Sequence, residues 1–282
     1  MYPYQSKIYL KEVALNVRDL ERQTAFYHQI LGMDILEQSF KEVLLGVGTE
    51  PLVRLIKTDQ APQKNYGLYH MAILVPTRQD LADVLKHLAE LQIPLVGGAD
   101  HGYSEALYLE DLEGNGIELY HDKDISQWDI REDGRIVGVT EELASQDLYD
   151  LGKEITPFHL APQTRMGHVH LSVGRVATAK NFYIQLLGLD DKFSIPSGAW
   201  LASGNYHHHL AVNEWEGPNL DGRRTGAPGL AYFVLEVEDR KQLAHVAKKA
   251  QNIHLALAWQ GTDGFVLEGP DGIRMRIYYN RE

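Results

Sequence analysis

The sequence predicts an α+β protein built from four βαβββ modules in two homologous halves. Three observations carry that prediction. Residues 13–34, VALNVRDLERQTAFYHQILGMD, align without gaps on residues 169–190, VHLSVGRVATAKNFYIQLLGLD, with nine of 22 positions identical. Further pairs follow in the same order in each half: GLYHMAILV with GLAYFVLEV, and YLEDLEGNGIELY with VLEGPDGIRMRIY. Within each half, strand-like alternation gives way to helical spacing and then returns, twice over.

Each element has its own reason. Val13, Leu15 and Val17 alternate with Glu12, Ala14 and Asn16, so the first strand has one apolar face. Leu20, Phe26, Ile30 and Leu31 recur at helical spacing, and Gly32 is placed to end the helix. Short strands are expected near 34–40, 42–47 and 51–57. The second module has a strand near 68–75, a helix near 78–91 and strands near 105–110 and 116–121. Together these make a first domain of residues 1–122. Residues 123–165, polar and with little periodicity, read as a linker, and residues 166–282 form a second domain with the same plan.

Composition removes several classes of function. The chain has 282 residues, 44% hydrophobic and 23% charged, enough to bury a core without staples. A net charge of -12 argues against nucleic acid or an anionic membrane as partner. With no cysteine there is no disulfide, thiolate metal site or cysteine nucleophile. The start, MYPYQSKIYLKEV, lacks the apolar run of a signal peptide, and no stretch approaches the ~18 apolar residues of a membrane span. A cytoplasmic protein is the expectation.

The segments LNVRDLERQTAFYHQILGM, GLYHMAILVP and DLEGNGIELY resemble the vicinal-oxygen-chelate superfamily. That family spans glyoxalases, bleomycin-resistance proteins and extradiol dioxygenases. The nearest likeness is to two-domain catechol-2,3-dioxygenase-like proteins. The resemblance implies that paired modules curl into open barrels whose concave faces carry a divalent metal. It implies ligands from the first strand of one module and from the first and last strands of the next. His70 and Glu118 match the second and third of these positions, and the first is occupied by Glu12 in place of His.

Strand parity agrees. Tyr69, Met71 and Ile73 form the apolar set around His70, and Ile117 and Leu119 flank Glu118, so both ligand types face the concave side with Glu12. Set against this, each residue has a plainer reading: a hydrogen-bonded core histidine, a solvated strand carboxylate, or a Glu12 paired with Arg54. Fe(II) is the first choice for such a set, with Mn(II) and Zn(II) as alternatives. The resemblance also implies catalytic roles for His101 and Tyr108, which precede Glu118 in DHGYSEALYL. His101 would act in acid–base chemistry and Tyr108 would hydrogen-bond a substrate oxygen.

In the second half, His168, Tyr232 and Arg276 stand at the positions of Glu12, His70 and Glu118. An arginine there repels a metal, so this half is expected to have lost its centre. His168 with His207 and His209 of YHHHLAV is the competing expectation of a second site.

The leading functional reading is an extradiol-type dioxygenase acting on a catechol-like small molecule. A glyoxalase-type isomerase or lyase, with Glu12 as base, is one alternative. A non-catalytic small-molecule-binding protein of the bleomycin-resistance type is the other. A homo-oligomer is compatible with all three.

Overall fold

The computed structural model describes residues 3–280 of the chain. The first module contains β1 (Ile8–Val17), α1 (Leu20–Ala25) widening into a π-type turn over Phe26–Ile30, then β2 (Asp34–Gln38), β3 (Glu42–Val47) and β4 (Glu50–Lys57). The second contains β5 (Gly67–Leu74), α2 (Arg78–Glu90), β6 (Gly97–Asp100), β7 (Ser104–Glu110) and β8 (Gly116–Asp122). The expected linker holds β9 (Asp129–Ile130), β10 (Ile136–Val137), β11 (Glu141–Glu142) and α3 (Ser145–Leu151). The third module follows with β12 (Arg165–Ser172), α4 (Val176–Leu187), β13 (Asp190–Ile195), β14 (Gly198–Ala202) and β15 (Leu210–Asn213). The fourth has β16 (Gly229–Val237), α5 (Arg240–Asn252), β17 (Ala258–Trp259), β18 (Gly264–Glu268) and β19 (Arg274–Tyr278).

Local chemistry accounts for the helix ends. Asp19 and Asp239 accept backbone N–H groups at the starts of α1 and α5, and Thr77 with Asp80 forms a reciprocal capping box on α2. The repeated LGxD motif ends the first helix of each half. Gly32 and Gly188 hold the left-handed backbone there, at φ +72° and +73°, which side-chain-bearing residues resist.

The modules pair crosswise. One sheet runs β17-β18-β19-β16-β1-β4-β3-β2 and joins the fourth module to the first. The other runs β11-β6-β7-β8-β5-β12-β15-β14-β13 and joins the second to the third. At each junction two first strands lie antiparallel, β1 with β16 and β5 with β12. The connections that carry the chain between the sheets, residues 58–66 and 214–228, are bonded to each other. Tyr66 N donates to Asp221 O at 3.0 Å, and Thr58 Oγ1 donates to Gly226 O at 2.6 Å. Arg223 clamps the crossing, donating to Asn65 Oδ1 and to the carbonyls of Ala227, Pro228 and Leu230.

A single apolar cluster runs through both sheets and the helices against them, including Leu15, Tyr27, Met71, Leu119, Leu171, Tyr183 and Phe233. Full burial of one such Leu or Phe side chain contributes about 1.5–3 kcal/mol. Two parts of the chain differ from the sequence reading. The strand β6 opens with Gly97 and Gly98, so it shows no alternation to detect. The linker is structured: β11 extends the second sheet beside β6, and α3 rests on α2. Its anchors, Trp128, Ile136, Leu143 and Leu148, are buried one at a time and leave no period.

Candidate metal centre

Three adjacent strands build the site. Glu118 on β8 is level with Ala72 on β5, which is level with His168 on β12, and His70 lies two residues earlier on β5. All three side chains face the concave side of the second sheet. A β-bulge at Gly167 breaks the β12 register just before His168 and re-aims that side chain. Gly167 has no side chain because the Tyr120 phenol occupies the space a Cβ would need.

The geometry is that of converging ligands. His70 Nε2 lies 2.9 Å from Glu118 Oε2, and His168 Nε2 lies 3.1 Å from the same oxygen. Two donor atoms each ~2.1 Å from a common ion at near right angles would stand about 3 Å apart. His70 Nε2 is buried and close to the carboxylate, yet it makes no aligned hydrogen bond. An imidazole lone pair aimed past the carboxylate, at a shared point, has this arrangement. Among the described residues this is the one set of three or more His, Asp or Glu side chains that converges tightly enough to hold a metal ion.

The charge states suit a cation. Burial alone would raise the Glu118 carboxyl, but the His168 and His70 imidazoles outweigh it and hold it well below its ordinary range. Burial lowers His168 to about 4 against the pull of Glu118, so its ring is neutral near pH 7. A neutral His168 and one carboxylate, with the His70 imidazole beside them, are thus available as a fixed set that can bind a divalent ion.

Glu12 is not part of it. It lies in the other sheet, with Oε1 3.0 Å from Arg54 Nε, and Arg54 also reaches Glu42 at 3.2 Å. Tyr232 and Arg276 stand near it on β16 and β19, at the positions that His70 and Glu118 hold in the second sheet. The place beside His70 and Glu118 is taken instead by His168, the repeat counterpart of Glu12, because crosswise pairing brings the third module to the second. Both residues follow a bulge at the same place in their strands. The signal for His168 was present in the repeat alignment: only by joining modules two and three do the three ligand positions read His, His, Glu.

His101 and Tyr108 do reach the site. Tyr108 is the cross-strand partner of Glu118, and its hydroxyl lies 2.6 Å from His101 Nε2. The other His101 nitrogen, Nδ1, lies 2.8 Å from Val139 O. A carbonyl only accepts, so Nδ1 carries a proton and, in the neutral ring, Nε2 accepts from Tyr108. Burial and the facing Glu118 keep the Tyr108 hydroxyl protonated.

The triple histidine has a role the sequence reading missed. His207, His208 and His209 lie in the connection before β15, all buried, and none joins the metal set. His207 Nε2 lies 2.8 Å from Asp122 Oδ1, and His207 Nδ1 lies 2.7 Å from His208 Nδ1. The carboxylate accepts from Nε2–H of His207, and the facing Nδ1 atoms of His207 and His208 share one proton between them. His208 lines the cavity, its ring 4.0 Å from that of His168. Burial pulls His208 well below its usual range, so it is a neutral base.

These groups share a cavity of about 690 Å³ walled by Tyr69, Phe193, Trp200 and Trp215, and by Val139 from the linker. A larger open groove of about 1090 Å³ along α1 holds Arg18, Glu21 and Arg22 and none of the ligating set.

Comparison with known proteins agrees with this architecture. The Glyoxalase/Bleomycin resistance protein/Dioxygenase superfamily pattern matches residues 9–119 and again 165–277. The catechol-2,3-dioxygenase of Bacillus subtilis (strain 168) is 33% identical over 245 residues, spanning 84% of this chain and 86% of that protein. Among solved structures, one from Bacillus subtilis subsp. subtilis str. 168 superposes with TM-score 0.67 at 12% identity, over 99% of this chain and 86% of the other. Glyoxalase I from Zea mays superposes with TM-score 0.58 at 16% identity, over 96% and 92%. At those identities the solved structures show a shared fold. The twofold pattern match and the 33% relative show the family, and this chain belongs to the glyoxalase/bleomycin resistance/dioxygenase superfamily.

Proposed function

We propose that this protein is a metal-dependent extradiol dioxygenase that opens the ring of a catechol-like substrate beside its two hydroxyls. The observation that carries the proposal is the meeting of His70, His168 and Glu118 in an aromatic-walled cavity. Two imidazoles and one carboxylate with open positions are the donor set of non-haem Fe(II) oxygenases, so Fe(II) is the first choice and Mn(II) or Zn(II) the alternatives. Fe(II) or Mn(II), when bound, would supply a Lewis-acidic and redox-active centre for vicinal oxygens and O2, whereas Zn(II) would supply the Lewis acid alone. In the overall reaction one ring carbon–carbon bond breaks, both atoms of O2 enter the product, and no outside reductant is needed.

The side chains supply the proton handling. His208, neutral and held through its contact with the Asp122-bound His207, offers a hydrogen bond to a substrate oxygen. Tyr108 orients a substrate oxygen, and His101 takes or returns a proton through it. The aromatic wall holds the ring and excludes water. Similarity to the Bacillus subtilis catechol-2,3-dioxygenase supports the same reading.

An isomerase would need a carboxylate base beside the substrate, and Glu12, the candidate for that role, is bound to Arg54 in the other sheet. The test is O2 uptake by the Fe(II)-loaded protein on addition of catechol, followed with the appearance of ring-opened product. Stoichiometric O2 consumption is expected. Metal binding without O2 uptake on any catechol would overturn the dioxygenase reading. No metal bound after Fe(II) loading would point to a simple binding protein.

A further inference from the structure

The charge of the cavity wall bears on which catechols fit. An aromatic series leads outward from the ligands. The His170 ring lies 4.9 Å from that of His70 and 5.3 Å from that of Trp215. Trp215 meets Tyr69 at 5.3 Å and Trp200 at 6.3 Å, and Trp200 meets Phe193 at 5.4 Å. Among the described residues lining the cavity there is no Lys and no Arg. Beyond the ligand Glu118, its carboxylates are Glu110 and Glu216, both on the exposed side. Burial, with the Glu216 charge added, raises the Tyr69 hydroxyl, which places Glu216 within electrostatic reach of that ring.

Resting on the ring-cleavage reading, we propose that this cavity selects catechols whose ring substituent is neutral or cationic and rejects those that carry a carboxylate. An ammonium on a short side chain would lie against the faces of Tyr69 and Trp215, where the ring quadrupole attracts cations, with Glu216 and Glu110 as counter-charges. A substituent carboxylate would lose water against the same wall, find no cationic partner, and face two like charges. Reversing a substituent's charge beside two such exposed carboxylates at low ionic strength is expected to change selection by up to about tenfold.

The experiment compares 4-(2-aminoethyl)catechol, 4-ethylcatechol and 3,4-dihydroxyphenylacetate on the Fe(II)-loaded protein. Binding is read anaerobically by calorimetry and turnover by O2 uptake, both at low ionic strength. The ammonium compound is expected to exceed the carboxylate by about tenfold in affinity and in kcat/KM, with the neutral compound between them. In the Glu110→Gln/Glu216→Gln variant that ratio is expected to shrink to about threefold or less. A carboxylate compound that binds as well as the ammonium one overturns the inference and leaves ring cleavage standing. A ratio unchanged in the double variant removes these two glutamates as its origin. Selective binding without O2 uptake supports the inference while overturning the ring-cleavage reading.

Discussion

Glu12 and His168 occupy the same place in two copies of one motif, and their neighbours give them opposite tasks. Glu12 meets a guanidinium and becomes half of an ion pair, while His168 meets Glu118 and His70. His168→Ala is therefore expected to abolish stoichiometric metal binding, as is His70→Ala. Glu12→Gln is expected to retain metal, both outcomes read by elemental analysis. Loss of metal in Glu12→Gln with retention in His168→Ala would return the site to the first sheet. His208→Gln and Tyr108→Phe remove a substrate hydrogen bond and the proton route to His101 and keep the ligands, so kcat should fall about 100-fold at unchanged metal content. A kcat within about threefold of wild type in both variants would detach these residues from the chemistry.

At the scale of the element, the bulge in β12 decides where His168 points. Gly167→Ala would drive a methyl group into the Tyr120 ring and disturb its 2.6 Å contact with the Tyr206 hydroxyl. Overpacking of this kind costs about 1–3 kcal/mol, and here it also displaces a ligand. Metal affinity is expected to drop at least tenfold along with stability. Thr77→Ala, which removes the α2 cap in an exposed turn, is the matched control. It should cost about 1 kcal/mol of stability and leave metal affinity unchanged. Equal effects of the two substitutions on metal binding would deny the bulge a specific role. The elements themselves were largely legible: alternation marked β1, β5 and β8, and helical spacing marked α1 and α2. Elements β6 and β11 were not, since a pair of glycines and a two-residue strand carry no period.

For the whole molecule, the buried histidines set a limit on acid stability. Burial lowers His168 to about 4 and His209 to about 3, and pulls His170 and His208 well below their usual range. The unfolded chain takes up protons at these residues near pH 6.5, and the native state refuses them. The stabilisation is complete above about pH 6.5 and is lost as pH falls toward 4, by up to about 1.4 kcal/mol per pH unit for each residue. Glu118 is also shifted downward, but as a carboxylate held in its charged form, so its contribution is complete above its ordinary range near 4.5 and fades only as pH falls below it. Urea midpoints of the metal-free protein should thus be level from pH 8 to 7 and fall steeply from 6.5 to 4.5. A level profile through that lower window would show that these rings are not neutral and dry in the native state. Among the described residues no helix is long and apolar enough to cross a membrane.

The amino-acid sequence by itself determined the modules, their repetition and two of the three candidate ligands, His70 and Glu118. Those properties are local, written in alternation, helical spacing and the alignment of one half on the other. The resemblance pointed to His101 and Tyr108 as well, and the β7–β8 hairpin sets Tyr108 opposite Glu118, with His101 reaching the Tyr108 hydroxyl from the turn before β7. Only the tertiary structure decided which modules meet. Four copies of one motif present similar first-strand edges, so pairing a module with its sequence neighbour or with a distant copy looks alike along the chain. The choice rests on long-range contacts such as the Arg223 clamp at the crossing of residues 58–66 and 214–228. That choice exchanged Glu12 for His168, turning an acid-rich set divided between two sheets into two imidazoles and a carboxylate on adjacent strands.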